Sequence, residues 1–384
     1  MGVPPERGAA GERSGLMCHR SRRCAVSIRA MVVLLVLALM AAAVAGCAKK
    51  DATTPTQAAA ETARAVVRTA MVADIGGLDD KGFNALSYAG LERASKELGA
   101  EIAVLQPRTT ADYPGLITQL AAAGNSPVFA IGYMMTESVT ELAARFPGVT
   151  FAGVDIAFDP AAENVIGLSF KEQEAGYLAG VVAGKLTTRT GVDPRINARK
   201  VVGFVGGMKI PPVQRFEAGF AAGVRSVAPD VTVKSIYVDS FTDARRGRAA
   251  ARSLLRGGAD IIFAAAGPSG TGAAAACRRN GALFIGVDAD QYETIPGVGD
   301  TIVTSAVKRV DTAVFLTVAD AAAGRLQGGV NRVFGLAEDG VGLAPLHEWD
   351  ARLPQDIKDA VAKARDAVVG GAVTVPETRA GQSP

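Results

Sequence analysis

The sequence predicts an α/β protein built as two doubly wound parallel-sheet lobes with a ligand cleft between them. Three observations predict it. Strand-like and helix-like segments alternate from residue 66 onward, the strand-like segments are almost wholly apolar, and the second half of the chain echoes the first. Steady alternation of strand and helix implies parallel strands joined by helical crossovers. Strands such as Ile261-Ile262-Phe263-Ala264 have no polar face, the pattern of a sheet covered on both sides. In the echo, Met71-Val72-Ala73-Asp74-Ile75-Gly76-Gly77 leads into a helix with Ala89-Gly90-Leu91. Gly203-Phe204-Val205-Gly206-Gly207-Met208 leads into one with Ala218-Gly219-Phe220. Each is followed by a strand, a helix and a strand ending in glycine, Ile131-Gly132 and Ala266-Gly267. Open α/β sheets bind ligands beyond their strand C-termini, so two facing halves make the gap between them the expected site.

In chain order, short runs rich in β-branched residues mark strands at 66–73, 101–105, 127–131, 149–154, 164–168, 201–205, 231–238, 260–264, 283–287 and 301–306. Amphipathic stretches between them mark helices at 83–98, 112–123, 171–186, 213–226, 243–256 and 309–323. The expected first lobe takes 65–168 and 308–330, the second takes 169–307 and 331–370, and 371–384 form a tail.

With 384 residues the chain is long enough for two domains. Hydrophobic residues make up 49% and charged residues 21%, which excludes a disordered or collagen-like chain. The net charge of +3 comes from the first 46 residues, whose six Arg and two Glu contribute +4. The remainder is close to neutral and offers no net basic charge for nucleic acid. Two histidines, His19 and His347, argue against a His-ligated metal or His-based acid–base chemistry.

The N-terminus reads as an address. Basic residues 20–29 precede the apolar run 31–46, which falls short of the roughly 20 residues a spanning helix needs. Basic, apolar and then small residues are the order of an export signal, with an uncleaved anchor as the alternative. The run closes on Val44-Ala45-Gly46-Cys47, which resembles a bacterial lipobox, so 1–46 are expected to be a lipoprotein signal and Cys47 the lipidated residue. Residues 47–64, polar and without periodicity, suit a flexible tether. Cys18 and Cys24 fall in the signal, leaving Cys277 without an intramolecular partner, so the fold must be held by its core.

The most informative stretch is Asp74-Ile75-Gly76-Gly77-Leu78-Asp79-Asp80-Lys81-Gly82-Phe83-Asn84, a strand end, a glycine-bearing loop and a helix start. An aromatic ring in a polar loop needs a cover: either its own lobe's core or a flat ligand. Asn84 beside it has the amide that can pair with a base edge, as Asn does with adenine.

These residues resemble the basic membrane protein family of bacterial lipoproteins, the purine-nucleoside-binding components of ABC importers. The resemblance runs along nearly the whole mature chain. It rests on Asp79-Asp80-Lys81-Gly82-Phe83-Asn84, Gly132-Tyr133-Met134-Met135-Thr136, Gly206-Gly207-Met208-Lys209-Ile210-Pro211 with Arg215-Phe216-Glu217-Ala218-Gly219-Phe220, Gly286-Val287-Asp288-Ala289-Asp290-Gln291, and Thr304-Ser305-Ala306-Val307-Lys308-Arg309-Val310. The resemblance implies a type I periplasmic binding protein fold, two lobes hinged by three crossings.

It further implies that Phe83 and Phe241, one from each lobe, sandwich the purine, and that Asn84, Asp74 and Asp155 address the base edge. Asp288 would accept hydrogen bonds from ribose hydroxyls, as an acceptor-only carboxylate can. Asp290 is the alternative should the register differ. Lys308 would either hold the ribose or pair with a carboxylate, and Gly267 would let the backbone approach the ligand. Arg215 and Phe216 would lie near the cleft. The implied partners are a purine nucleoside, an ABC permease with its ATPase, and the membrane through the lipid on Cys47; no cofactor, metal or nucleic acid is expected.

Two other classes fit less well. A nucleoside-processing enzyme lacks histidine chemistry, a clustered Asp metal motif and a Gly-x-Ser-x-Gly elbow. A gene regulator would need a DNA-binding helical module where this chain has an export signal. A receptor for a sugar on the same scaffold remains the alternative, since sugars also stack on aromatic rings.

Overall fold

The computed structural model describes residues 66–379. The expected signal, Cys47 and the tether lie outside the described residues.

The first sheet is laid down by β1 (Arg68–Val72), β2 (Glu101–Leu105), β3 (Val128–Ile131), β4 (Phe151–Val154) and β5 (Val165–Phe170). Between them run α1 (Phe83–Leu98), α2 (Tyr113–Ala122) and α3 (Thr136–Arg145). The chain then crosses into α4 (Glu172–Thr187) and the second lobe: β6 (Val201–Gly206), α5 (Pro211–Val227), β7 (Thr232–Tyr237), α6 (Ala244–Arg256), β8 (Ala259–Ala265), α7 (Pro268–Arg279), β9 (Leu283–Asp288), α8 (Gln291–Thr294) and β10 (Ile302–Lys308). It returns for α9 (Val310–Ala322) and β11 (Val330–Phe334), then crosses a third time into β12 (Val341–Leu343) and α10 (Gln355–Val369).

The sheet orders are β11-β5-β4-β3-β1-β2 and β12-β10-β9-β8-β6-β7, two copies of one doubly wound plan. Every pairing is parallel except β12 against β10. In each lobe the winding reverses between the first strand and the third, β1 beside β3 and β6 beside β8. Ligands bind beyond the strand ends at such a reversal.

The expected boundary at residue 330 is corrected by β11, which pairs with β5 from Val330↔Ile166 to Phe334↔Phe170. The first lobe therefore runs on to Phe334. Val-Asn-Arg-Val-Phe lacks the continuous apolar run of the central strands because it is an edge strand, exposed along much of its length. Lys308, expected to open the return to the first lobe, instead ends β10 in the second sheet. The stretch beyond 370 is docked on the second lobe where described: Val375 is buried, and Arg379 donates to Glu217 Oε1, Ser235 Oγ and the Val233 carbonyl.

One apolar cluster joins the lobes on the side of the crossings, from Met71, Leu91 and Phe129 through Phe216 and Phe220 to Phe204 and Phe263. Separate clusters fill the opposite faces, beneath α2 and α3 in one lobe and beneath α6 and α7 in the other. The crossings are tied together by backbone bonds, Lys171 N–H to the Phe334 carbonyl and Arg309 N–H to that of Gly340. The buried Glu174 carboxylate accepts from Leu336 N–H at 2.7 Å. No helix among the described residues is long and apolar enough to cross a membrane.

Candidate functional site

The strand ends of both lobes converge on one cleft of about 600 Å³, solvent at its mouth included. Its walls include all eight residues singled out as ligand contacts: Asp74, Phe83, Asn84 and Asp155 from the first lobe, Phe241, Gly267, Asp288 and Lys308 from the second.

The two halves supply matching parts. Asp155 directly follows β4 and Asp288 ends β9, the fourth strand of each lobe, and both adopt the left-handed conformation, φ 63° and 61°. Asp tolerates that region better than most side chains, and such strain clusters at functional sites. Each lobe's third strand is likewise followed by a positive-φ glycine at the cleft, Gly132 after β3 and Gly267 after β8.

Lys308 is the hub. Its Nζ lies 2.7 Å from Asp155 Oδ2, 3.6 Å from Glu172 Oε1 and 3.7 Å from Asp288 Oδ1. It also sits over the Phe83 ring at 4.6 Å and the Phe170 and Phe216 rings at 5.5 and 5.8 Å, which favours a cation. Three carboxylates hold the ammonium firmly protonated despite burial. Arg215 shares the load, its Nε 2.6 Å from Glu172 Oε2. Burial raises the Glu172 carboxyl although Arg215 and Lys308 pull it back. Asp288 is pushed up to about 7 by burial, with Lys308 opposing and the neighbouring carboxylates adding to the rise. Asp155 Oδ1, Glu172 Oε1 and Asp288 Oδ1 are buried with no hydrogen-bond donor in reach. At Asp155 and Asp288, which line the cleft, a guest rich in hydroxyl or amino hydrogens can supply the missing donors.

The first-lobe loop is braced from within. Asp80 accepts from the Gly82, Asn84 and Ala85 N–H groups and from Asn84 Nδ2 at 2.7–3.1 Å, tying off the start of α1. Asn84 Oδ1 accepts from the Asp74 N–H at 2.6 Å. The Asn84 amide thus fastens the loop while still facing the cleft, with one N–H and one lone pair left over. Asp74 receives the Tyr113 hydroxyl, and burial lifts its carboxyl to about 6 even with that bond opposing.

In the second lobe the Phe241 ring lies against Gly207, where a Cβ would collide with it. The Phe241 carbonyl accepts from Ser269 N–H at 3.0 Å, and Ser269 Oγ donates to the Ser240 carbonyl at 2.8 Å. The ring is held by the start of α7. Asp290, the alternative to Asp288, is turned away: it bonds His347 Nε2 at 2.6 Å and the Tyr292 N–H. Phe216 lines the cleft, whereas Arg215 stands behind it on Glu172.

Sequence reading missed Glu172, Asp80 and Tyr133. Glu172 looks like an ordinary acidic residue in a first helical turn; its 0% exposure follows from the crossing that buries the start of α4. Asp80 belongs to the Asp79–Asn84 motif, but its role as the brace of the loop shows only in the folded chain. Tyr133, 37% exposed at the mouth, follows the conspicuous Gly132. Among the described residues no group of three or more His, Cys, Asp or Glu is arranged to hold a metal ion.

Comparison with known proteins bears on the family and the fold. Residues 67–377 match the family described as ABC transporter substrate-binding protein PnrA-like. The chain is 34% identical over 326 residues to the CD4+ T-cell-stimulating antigen of Listeria monocytogenes, covering 80% of this chain and 87% of that one. It is 30% identical over 366 residues to the ABC transporter nucleoside-binding protein BmpA of Lactococcus lactis, covering 91% and 99%. A solved ABC transporter solute-binding protein from Aeropyrum pernix superposes with a TM-score of 0.74 at 25% identity, covering 81% of this chain and 94% of that one.

Proposed function

The chain belongs to the PnrA-like family of ABC transporter substrate-binding proteins, and on that premise we propose that it captures purine nucleosides outside the cytoplasm for an ABC permease. In this reading the two lobes close on the nucleoside, the closed form docks on the permease, and a lipid on Cys47 keeps the receptor at the membrane. The anchor is supported by the basic, apolar and small-residue order that ends at Cys47.

One observation carries the choice of cargo. The cleft pairs an aromatic ring from each lobe with two buried carboxylate oxygens that have no donor, Asp155 Oδ1 and Asp288 Oδ1. The rings suit a flat heterocycle and the oxygens suit the hydroxyls of a ribose. Phe83 and Phe241 take the two faces of the base. Asp74, Asn84 and Asp155 address its edge. Asp288 accepts from the sugar, Lys308 orders the acids around it, and Gly267 keeps the backbone close. A nucleotide fits poorly, because a phosphate would enter a cleft where acidic groups outnumber cationic ones.

Titration calorimetry of the mature chain with nucleosides, free bases, ribose and hexoses tests the reading. Purine nucleosides are expected to bind best, and Phe83→Ala and Phe241→Ala each to weaken them by roughly tenfold or more, given about 1–3 kcal/mol per stacked face. Sugars that bind as tightly as nucleosides, with both variants unimpaired, would overturn it.

A further inference from the structure

The outer face of α6 carries a row of arginines that the fold does not require. The helix reads Ala-Arg-Arg-Gly-Arg-Ala-Ala-Ala-Arg-Ser-Leu-Leu-Arg, five Arg and no carboxylate. Its buried side is Gly247, Ala250, Ala251 and Leu254. Arg245, Arg252 and Arg256 fall on the opposite side, aligned within about 40° at 100° per residue and spanning roughly 16 Å at 1.5 Å per residue. Asp243, just before the helix, is the acid within 4 Å of Arg245 and Arg246. Among the described residues no carboxylate lies that close to Arg248, Arg252 or Arg256, and Arg248 Nε is buried without an acceptor.

Like charges four residues apart, Arg248 with Arg252 and Arg252 with Arg256, work against helix stability. The twofold plan of the molecule supplies a control. In the first lobe, α2 occupies the place of α6 and has no charged residue, Tyr-Pro-Gly-Leu-Ile-Thr-Gln-Leu-Ala-Ala. Its neighbour α3 carries two Glu and one Arg, whereas α7, beside α6, ends in Arg278 and Arg279. The same architecture therefore stands without the positive face.

We infer that this face rests on an anionic phospholipid surface. Guanidinium groups grip phosphate with paired hydrogen bonds, and each cation near an anionic leaflet adds about 1 kcal/mol. The exposed positions between the arginines are Ala249 and Ser253, so the face lacks the Trp and Tyr anchors that accompany Arg at the centre of protein interfaces. A charged row without such anchors suits a fluid array of phosphates. The anchored-receptor reading enters only in placing a membrane nearby, through the lipid expected on Cys47.

The test uses the mature chain from residue 47 with Cys47→Ser, so that no lipid contributes and failure of the anchor reading leaves the outcome legible. It is co-sedimented with vesicles of phosphatidylcholine alone or with about one-third phosphatidylglycerol. Binding is expected to the anionic vesicles only, to be lost in high salt, and to fall about tenfold or more in R245E/R252E/R256E. These side chains are on the solvent face, and unchanged nucleoside affinity and thermal midpoint certify the variant's fold. Equal binding to both vesicles, no binding to either, or an unimpaired triple variant overturns the inference. So does a variant defective only in associating with detergent-solubilised permease, which would assign the row to a protein partner.

Discussion

At Asp288, burial and charge pull in opposite directions. The apolar surroundings favour the neutral acid, Lys308 favours the anion, and the balance is a carboxyl that titrates at about 7. A hydroxyl donated by a ligand favours the anion further, so the bound protein should hold this proton less tightly than the free one. Binding near neutrality then releases a proton. Affinity is expected to fall as the pH drops below about 7 and to level off above it. Calorimetry in buffers of different ionisation heat, just below that pH, checks it; heats independent of the buffer would remove Asp288 from ligand contact. Asp288→Asn should remove the step near pH 7, leaving that of Asp74 at about 6, and impair nucleosides far more than free bases. For the free protein the sign is the reverse of a salt-bridged acid. A carboxyl raised above its unfolded value contributes stability in acid that is lost as the pH climbs through about 7.

The elements differ in how plainly the sequence declares them, and packing explains the difference. Helix α1 spans Phe83–Leu98, the very segment its amphipathic pattern marks, because one side faces the core and the other solvent. The central strands are equally plain, since both their faces are buried, as in the fully covered β8. Edge strand β11 and the three-residue β12 are illegible because each needs the neighbouring strand to define it. The site divides the same way. Residues at strand ends, such as Asp155 and Asp288, can be picked out from local pattern, whereas the Glu172–Arg215 support exists only once α4 and α5 are side by side. Their contact is unusually close: a Cβ on Gly219 would overlap the Gln173 carbonyl, and one on Gly176 would come within 2.5 Å of that of Phe216. Gly219→Ala is therefore expected to cost at least about 2 kcal/mol through overpacking, measured by chemical denaturation. Gly148, which has nothing within 4 Å of a Cβ, is the control: its replacement by Ala should be neutral within about 0.5 kcal/mol.

Across the whole molecule, the lobes meet on both sides of the cleft. On the side of the crossings Lys308 joins Asp155 across the lobe boundary. At the opposite rim Thr294 Oγ1 donates to the Lys81 carbonyl at 3.0 Å, and a Cβ on Gly82 would stand 3.7 Å from that of Asp288. A ligand can favour this closed arrangement only by what it binds better there than in an open one. The rim decides how completely the two rings approach each other, so a wedge at Gly82, pressing on Asp288 from across the rim, should act on affinity by keeping the lobes apart. Gly82 pairs φ −158° with ψ −112°, outside the regions open to residues with a Cβ, so any replacement here carries a backbone cost that Ser and Trp share. Gly82→Ser should close and bind as the parent does, since a Cβ there makes only ordinary contact. Gly82→Trp should hold the lobes apart, weakening nucleoside binding by roughly tenfold or more, about 1.4 kcal/mol per factor of ten. Its thermal midpoint without ligand should stay near that of Gly82→Ser, which bears the same backbone cost. Small-angle scattering should then show the parent contracting on adding nucleoside and the Trp variant failing to. Equal contraction and equal affinity in both would mean that closure at this rim does not govern binding.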